Sequence, residues 1–189
     1  SAASDVYKRQ AVAAGNQSIA LGLSAVAAGD DAVALGTGAA VGEAVYNSSA
    51  KVYDITTAVN HGTAVGRLAK AMGAGASAFG NEAKALATNS VVIGNNATVR
   101  NTGQGSIAVG SSSSANGINA TAIGQSSEAA GQNSFAGGQD SHATGKSAVA
   151  IGDGGKSVAD STVAVGPYSY AGQAANTPQN IAKNYYDAN

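Results

Sequence analysis

The chain repeats itself every fourteen residues, and this period limits its possible folds more than any other feature. A five-residue phrase closed by glycine occurs as SIALG at 18–22, AVALG at 32–36, ASAFG at 76–80, SVVIG at 90–94 and SIAVG at 106–110. It continues as ATAIG at 120–124, SFAGG at 134–138, AVAIG at 148–152 and TVAVG at 162–166. With Gly66 included, the closing glycines are separated by 14, 30, 14, 14, 16, 14, 14, 14 and 14 residues. Such an array is a stack of like units, each unable to bury its apolar surface alone. The 16-residue step holds a two-residue addition around Val99–Gly103, and the 30-residue step holds about sixteen extra residues between Gly36 and Gly66. A second glycine series follows the first by seven residues at Gly29, Gly73, Gly117, Gly131 and Gly145, with Ala87 and Ala159 substituting. Each unit therefore has two halves.

Within the phrase, larger apolar residues stand second and fourth, as in Ile107 and Val109 or Val149 and Ile151, and alanine is nearly always third. A period of two indicates a strand, and fourteen residues are too few for a βαβ unit or a helical pair. The spacing predicts two strands of four or five residues per coil, joined by tight corners where Gly, Asn and Asp suit positive φ. About ten coils, stacked as parallel strands roughly 4.8 Å apart, would make a rod near 50 Å long. Val and Ile point to one face and alanines to the other, and both faces are expected to be buried. Small alanine side chains admit a neighbouring backbone, so association of identical chains is expected through the alanine face.

Composition explains why a lone rod would be marginal. Alanine supplies about half of the 44% hydrophobic residues, aromatic residues are 5%, and there is no tryptophan. Little area per residue can be buried against a backbone ordering cost of about 1–2 kcal/mol per residue. Charged residues are 11% and the net charge is −1, so nothing in the sequence is expected to provide the basic stripe that nucleic acid or direct membrane contact would require. No long uncharged apolar run or signal-peptide pattern is apparent. Absence of cysteine excludes a disulfide scaffold, a thiolate metal site and a cysteine nucleophile.

The SVAIG-like phrases at fourteen-residue spacing resemble the head domain of YadA-type trimeric autotransporter adhesins, over about residues 11–175. Nine of ten units end in an apolar residue and glycine; only the unit closed by Gly138 departs, with Gly137 fourth. The resemblance implies an all-β fold, a left-handed parallel β-roll assembled with two identical chains as a homotrimer. It also implies display at the cell surface, above the outer membrane of a Gram-negative bacterium by way of a stalk and anchor. The partner it implies is an extracellular matrix protein such as collagen, fibronectin or laminin, or a host-cell surface.

Three segments depart from the array. Residues 1–10 are off register and are expected to be an artefactual leader, since AVAAG at 11–15 already matches AVAAG at 25–29. The insert at about 43–60 is richer in Tyr, Val and Thr, with Asn47-Ser48-Ser49 as a turn candidate, which predicts a protruding β-hairpin. Residues 176–189 lose the glycines, contain Pro178 and Tyr185-Tyr186, and are expected to form an irregular tail. The stalk and membrane anchor of the family are not within these residues.

No pattern calls for catalysis, a metal or a cofactor. His61 and His142 lack ligand-spaced neighbours, and Asp30-Asp31, Asp140 and Asp153 recur too irregularly for a calcium-binding roll. Gly73-Ala74-Gly75 has no Gly-Lys-Ser/Thr ending, no carboxylate pair of glycosidase type is evident, and Thr56-Thr57 is no ice-binding ladder. Asn-x-Ser/Thr triplets at Asn16, Asn47, Asn96 and Asn119 follow from composition.

The resemblance associates NSVAIG-like phrases with collagen binding, which singles out Asn89, Ser90, Val91, Ile93 and Gly94, with partial copies at Ser106 and at Asn133 and Ser134. With Val91 and Ile93 facing the interior, changing them would remove binding by damaging the roll. Direct contact would then use outward polar groups and the insert, including Tyr46, Lys51 and Tyr53. The expected function is a non-enzymatic adhesin head. The alternative is a spacer or shaft of a trimeric fibre, including a phage tail fibre, with specificity elsewhere.

Overall fold

A computed structural model describes residues 10–47, 49–50 and 52–172. Residues 1–9 of the leader expected at 1–10, and the tail at 176–189, lie outside the described residues, as do Ser48 and Lys51. The described chain is a parallel β-solenoid of about eleven coils. Two-residue strands, from Val12–Ala13 to Tyr170–Ala171, form an eleven-stranded sheet, and three-residue strands, from Ile19–Leu21 to Val163–Val165, form a ten-stranded one. The chain alternates between the sheets, and register follows the repeat, pairing Ile107 with Thr121, Ala108 with Ala122 and Val109 with Ile123. Strands are shorter than the four or five residues expected. Corners begin immediately: Gly110 at φ 133° and Ser112 at φ 58° leave only Ile107–Val109 extended between one corner and the next.

The alanines line the interior, which reverses the expected orientation. Ala78, Val92, Ala108 and Ala122, the middle residues of their strands, are fully buried, whereas Phe79, Ile93, Ile107 and Ile123 are exposed. The opposing sheet contributes equally small groups, with Ala85, Val99, Ala115 and Ala129 inside. Alanine against alanine brings the two sheets close together, so there is no space inside for the Val and Ile row. Serines two residues earlier on the same inward parity are buried as well and need partners. Ser90, Ser113, Ser127, Ser134 and Ser141 each donate to the carbonyl three residues earlier at 2.7–2.9 Å. Serine and alanine are thus interchangeable at these positions.

Among the described residues, the buried valines lie where the array is interrupted. Val41 and Val59 flank the sixteen-residue insertion, and Val92 and Val99 belong to the coil with the two-residue addition. Two glycines make the room: a Cβ at Gly62 would lie 2.5 Å from Val41 Cγ1, and one at Gly103 would lie 2.7 Å from Val99 Cγ1. Larger core residues and missing side chains are therefore paired.

The closing glycines stack carbonyl over Cα along one edge. At Gly110, a Cβ would meet the Gly124 carbonyl oxygen at 2.4 Å, and φ is +133°. Gly110→Ala is expected to destabilise the roll by about 2–4 kcal/mol, through backbone strain and overpacking together. Denaturant unfolding would check this; an unchanged midpoint would contradict the stacking account.

The extra residues between Gly36 and Gly66 form a hairpin outside the roll, while Ala40–Val41 and Thr63–Val65 remain strands of the two sheets. Glu43–Asn47 and Val52–Thr57 pair antiparallel, with Tyr46 opposite Tyr53 and a bulge at Glu43/Ala44. Gly42, at φ 77°, lets the chain leave the roll. Val59, 5% exposed, re-enters it.

Candidate functional site

The two sheets present different outer faces. On the three-residue strands, the outward second and fourth positions form two rows parallel to the rod axis. One runs through Ile19, Val33, Val91, Ile107, Phe135, Val149 and Val163, and the other through Leu21, Leu35, Val65, Phe79, Ile93, Val109, Ile123, Ile151 and Val165. With about 4.8 Å between neighbouring strands, this apolar face is roughly 45 Å long. Thr63, Ser77 and Thr121 are its polar members. On the other sheet, the central outward row reads Lys70, Lys84, Thr98, Ser114, Glu128, His142 and Lys156. One face avoids water and the other is built for it.

Gly137, which interrupts the apolar rows, is filled from within its own strand. The Phe135 ring lies where a Cβ at Gly137 would be, with Cε1 2.7 Å from that position. One large residue thus covers two positions, and the strand stays level with its neighbours.

The residues of the NSVAIG-like phrase divide by this geometry. Asn89 and Asn133 are exposed at corners with φ 55° and 56°, and their backbone amides donate to Ala74 and Ile118 carbonyls one coil earlier. Ser90, Ser106 and Ser134 are buried. Ser90 and Ser134 donate to the Ala87 and Gly131 carbonyls, and the Ser106 hydroxyl bridges the Gly117 carbonyl and the Ala120 amide. Their hydroxyls hold the roll together. Gly94, at φ 143°, stacks on the Gly110 carbonyl. Val91 and Ile93 do not face the interior as expected: Val91 is half-buried and Ile93 43% exposed, while Val92 fills the alanine position. A change at Val91 or Ile93 therefore acts on the outer face, not on the core.

On the hairpin, Tyr46 and Tyr53 meet edge to face at 5.2 Å. Partial burial, and then the neighbouring Tyr46 hydroxyl, raise the Tyr53 phenol above its ordinary value. Lys51 lies outside the described residues. Val45 and Val52 are exposed on the opposite side of the ribbon.

The structure brings one carboxylate beside each histidine, which spacing did not indicate. His61 lies 3.4 Å from Asp31, and His142 lies 3.7 Å from Glu128. Both carboxylates belong to the preceding coil. Among the described residues, no three or more His, Cys, Asp or Glu side chains gather as a metal site would require. Corner carboxylates serve the stack instead: Asp30 accepts from the Asn16 amide and Asp160 from the Lys146 amide, each at 2.8 Å.

Lys70 and Lys84 went unremarked in the sequence, although their separation of fourteen residues places them in direct register. Their spacing was the available signal, hidden by a net charge of −1.

The sequence model of the YadA head domain repeat matches residues 10–39, 71–97, 102–127, 115–141, 129–154 and 143–169, which together make up more than half of the chain. No curated protein sequence matches the chain. Among solved structures, the collagen-binding domain of the Yersinia adhesin YadA aligns with a TM-score of 0.54 at 27% identity, over 96% of this chain and 88% of that one. Heads of this type are extracellular, surface-exposed parts of autotransporter adhesins. The repeat, the two-sheet roll and these matches agree, and the chain belongs to the YadA-type adhesin head domains.

Proposed function

We propose that the chain is the binding head of a homotrimeric surface adhesin, sealed along its apolar face by two further copies. The observation that carries this reading is the contrast between the faces. Ile93, Ile107, Ile123 and Ile151 lie 38–44% exposed in the two apolar rows of one sheet, while Lys70, Lys84, Thr98, Ser114, Glu128, His142 and Lys156 occupy the central row of the other. An interior made of alanine and serine yields little burial per residue, so the apolar face is where further burial is available. Isologous pairing is not required, since three like faces can close around one axis.

The proposed ligand is an extracellular matrix protein such as collagen, fibronectin or laminin, or a host-cell surface. The collagen-binding domain of the Yersinia adhesin supports that choice. Contact would fall on the exposed corners at Asn89 and Asn133 and on the hairpin at Tyr46 and Tyr53, with three copies raising avidity through effective concentration. Placement above a Gram-negative outer membrane, on a stalk and anchor, completes the proposal.

Light scattering and a ligand panel test both parts. The chain of 18.1 kDa should run at about three times that mass and bind at least one of collagen, fibronectin and laminin. A stable folded monomer would overturn the assembly. A trimer that binds nothing in the panel or on host cells would favour the shaft reading.

A further inference from the structure

Charge is segregated along the rod in a way that the overall balance conceals. Residues 62–127 contain Arg67, Lys70, Lys84 and Arg100 against the single acid Glu82. Acids outnumber bases on both sides of this stretch, by four to one in residues 10–61 and four to two in residues 128–172. Arg67 is neutralised at its corner, where its guanidinium lies 2.8 Å from Glu82. Lys70, Lys84 and Arg100 form no ion pair among the described residues.

These three side chains share the outer face of the two-residue-strand sheet. Lys70 and Lys84 are direct register partners, and Thr98 follows Lys84 in the same row. Arg100, exposed and two residues beyond Thr98, continues on the same parity. Like charges directly opposite in a sheet destabilise it. Among the described residues neither lysine has an ion-pair partner, and the residues that follow on the same parity are Met72 and Leu86, over which the lysine stems can lie. A polyanion running along the rod axis would meet Lys70 and Lys84 about 4.8 Å apart, and then Arg100 one coil further on and two residues to the side of the lysine row.

We propose that Lys70, Lys84 and Arg100 form a binding stripe for a linear sulfated polysaccharide. Charge complementarity favours this occupant. The stripe is flat and offers no stacking aromatic residue, which is unsuited to reading nucleic acid bases. A flexible chain of sulfates needs only regularly placed cations. The inference rests on the assembly proposed above to the extent that sealing the Val and Ile face leaves this sheet outward, in three copies.

Immobilised heparin is the probe, and the full chain is applied at about 0.15 M salt. Releasing counterions from about three contacts per chain predicts roughly tenfold weaker binding when salt is raised to about 0.5 M. K70Q/K84Q/R100Q should weaken binding at least about tenfold at the lower salt, and K70R/K84R should retain it. K146Q/K156Q, which removes two cations elsewhere, should bind as the parent does. Circular dichroism and particle mass, recorded for every variant, separate loss of the stripe from loss of fold. Equal retention of parent and triple variant would overturn the proposal, as would equal loss from K146Q/K156Q. Displacement by double-stranded DNA as effective as by free heparin would overturn the polysaccharide assignment. A monomeric parent whose heparin binding still depends on the three cations would sink the trimer and leave the stripe standing.

Discussion

Replacing Ala122 with leucine is expected to break the roll in the middle. Ala122 is fully buried, with Ala108 and Ala136 as register partners above and below it in the sheet. The opposing sheet places Ser127 and Ala129 inside the same coil. A leucine adds three carbon atoms where every neighbour is already minimal, and the backbone ladders hold the sheets together on both sides. Overpacking ordinarily costs about 1–3 kcal/mol, and the stacked neighbours here put this site at or above the upper end. The thermal midpoint should fall by about 6–12 °C, if each kcal/mol moves a domain of this size by about 2–4 °C. In a one-dimensional stack, the damaged coil also uncouples the two halves, so the transition should broaden or split. Val92→Ala is the comparison: it occupies the same register position in the coil with the longer corner, and loses about 2 kcal/mol by leaving a cavity, without loss of cooperativity. A sharp, unshifted transition for Ala122→Leu would contradict an interior filled to contact.

These two residues also show where sequence was sufficient and where it was not. The fourteen-residue period fixes the coil, the register and the edge of stacked glycines, because all three depend only on residue order. The hairpin was legible for a similar reason, since the Tyr and Val alternation at 43–57 breaks the period while keeping strand character. Which parity faces inward was not legible from one strand alone. Valine and isoleucine are the usual core residues, and alanine is compatible with either side. The decisive signal lies in the second half of each unit. There the outward row carries Lys84, Glu128 and Lys156, which forces Ala85, Ala129 and Ser157 inward. A sheet whose inner row is that small, except at Val41 and Val99 beside the interruptions, can face only another small row, and the small row in the first half is the alanines. Ser90, Ser106 and Ser134 follow from the same logic: each opens its phrase at an inward position, so a hydroxyl that looks available for recognition is spent on a neighbouring carbonyl. The carboxylate partners of His61 and His142 were hidden because neighbours across coils are a full period or more away in sequence.

Reversing the polarity of the outer face has the second large expected effect, and it is the sharper test of assembly. Ile107 and Ile123 are 38% and 44% exposed and belong to adjacent strands near the centre of the apolar rows. In the homotrimer proposed, I107E/I123E would bring six carboxylates toward the shared interface. Each substitution loses roughly 1 kcal/mol or more of apolar burial. Each also takes a charge from water without a partner, at several kcal/mol. The sum exceeds what a marginal assembly can absorb, so the variant should fall to the monomer mass at micromolar concentration. Its circular dichroism should weaken as well, because the remaining monomer has only an alanine and serine interior. I107V/I123V keeps the face apolar and should stay assembled. Thr98→Glu adds one charge to the polar sheet beside Lys84, and should change neither mass nor melting by more than about 0.5 kcal/mol. An I107E/I123E protein that keeps three chains per particle would place the interface on another surface. Collagen binding by the separated chains, if they stay folded, would mean that the ligand site is complete within one subunit.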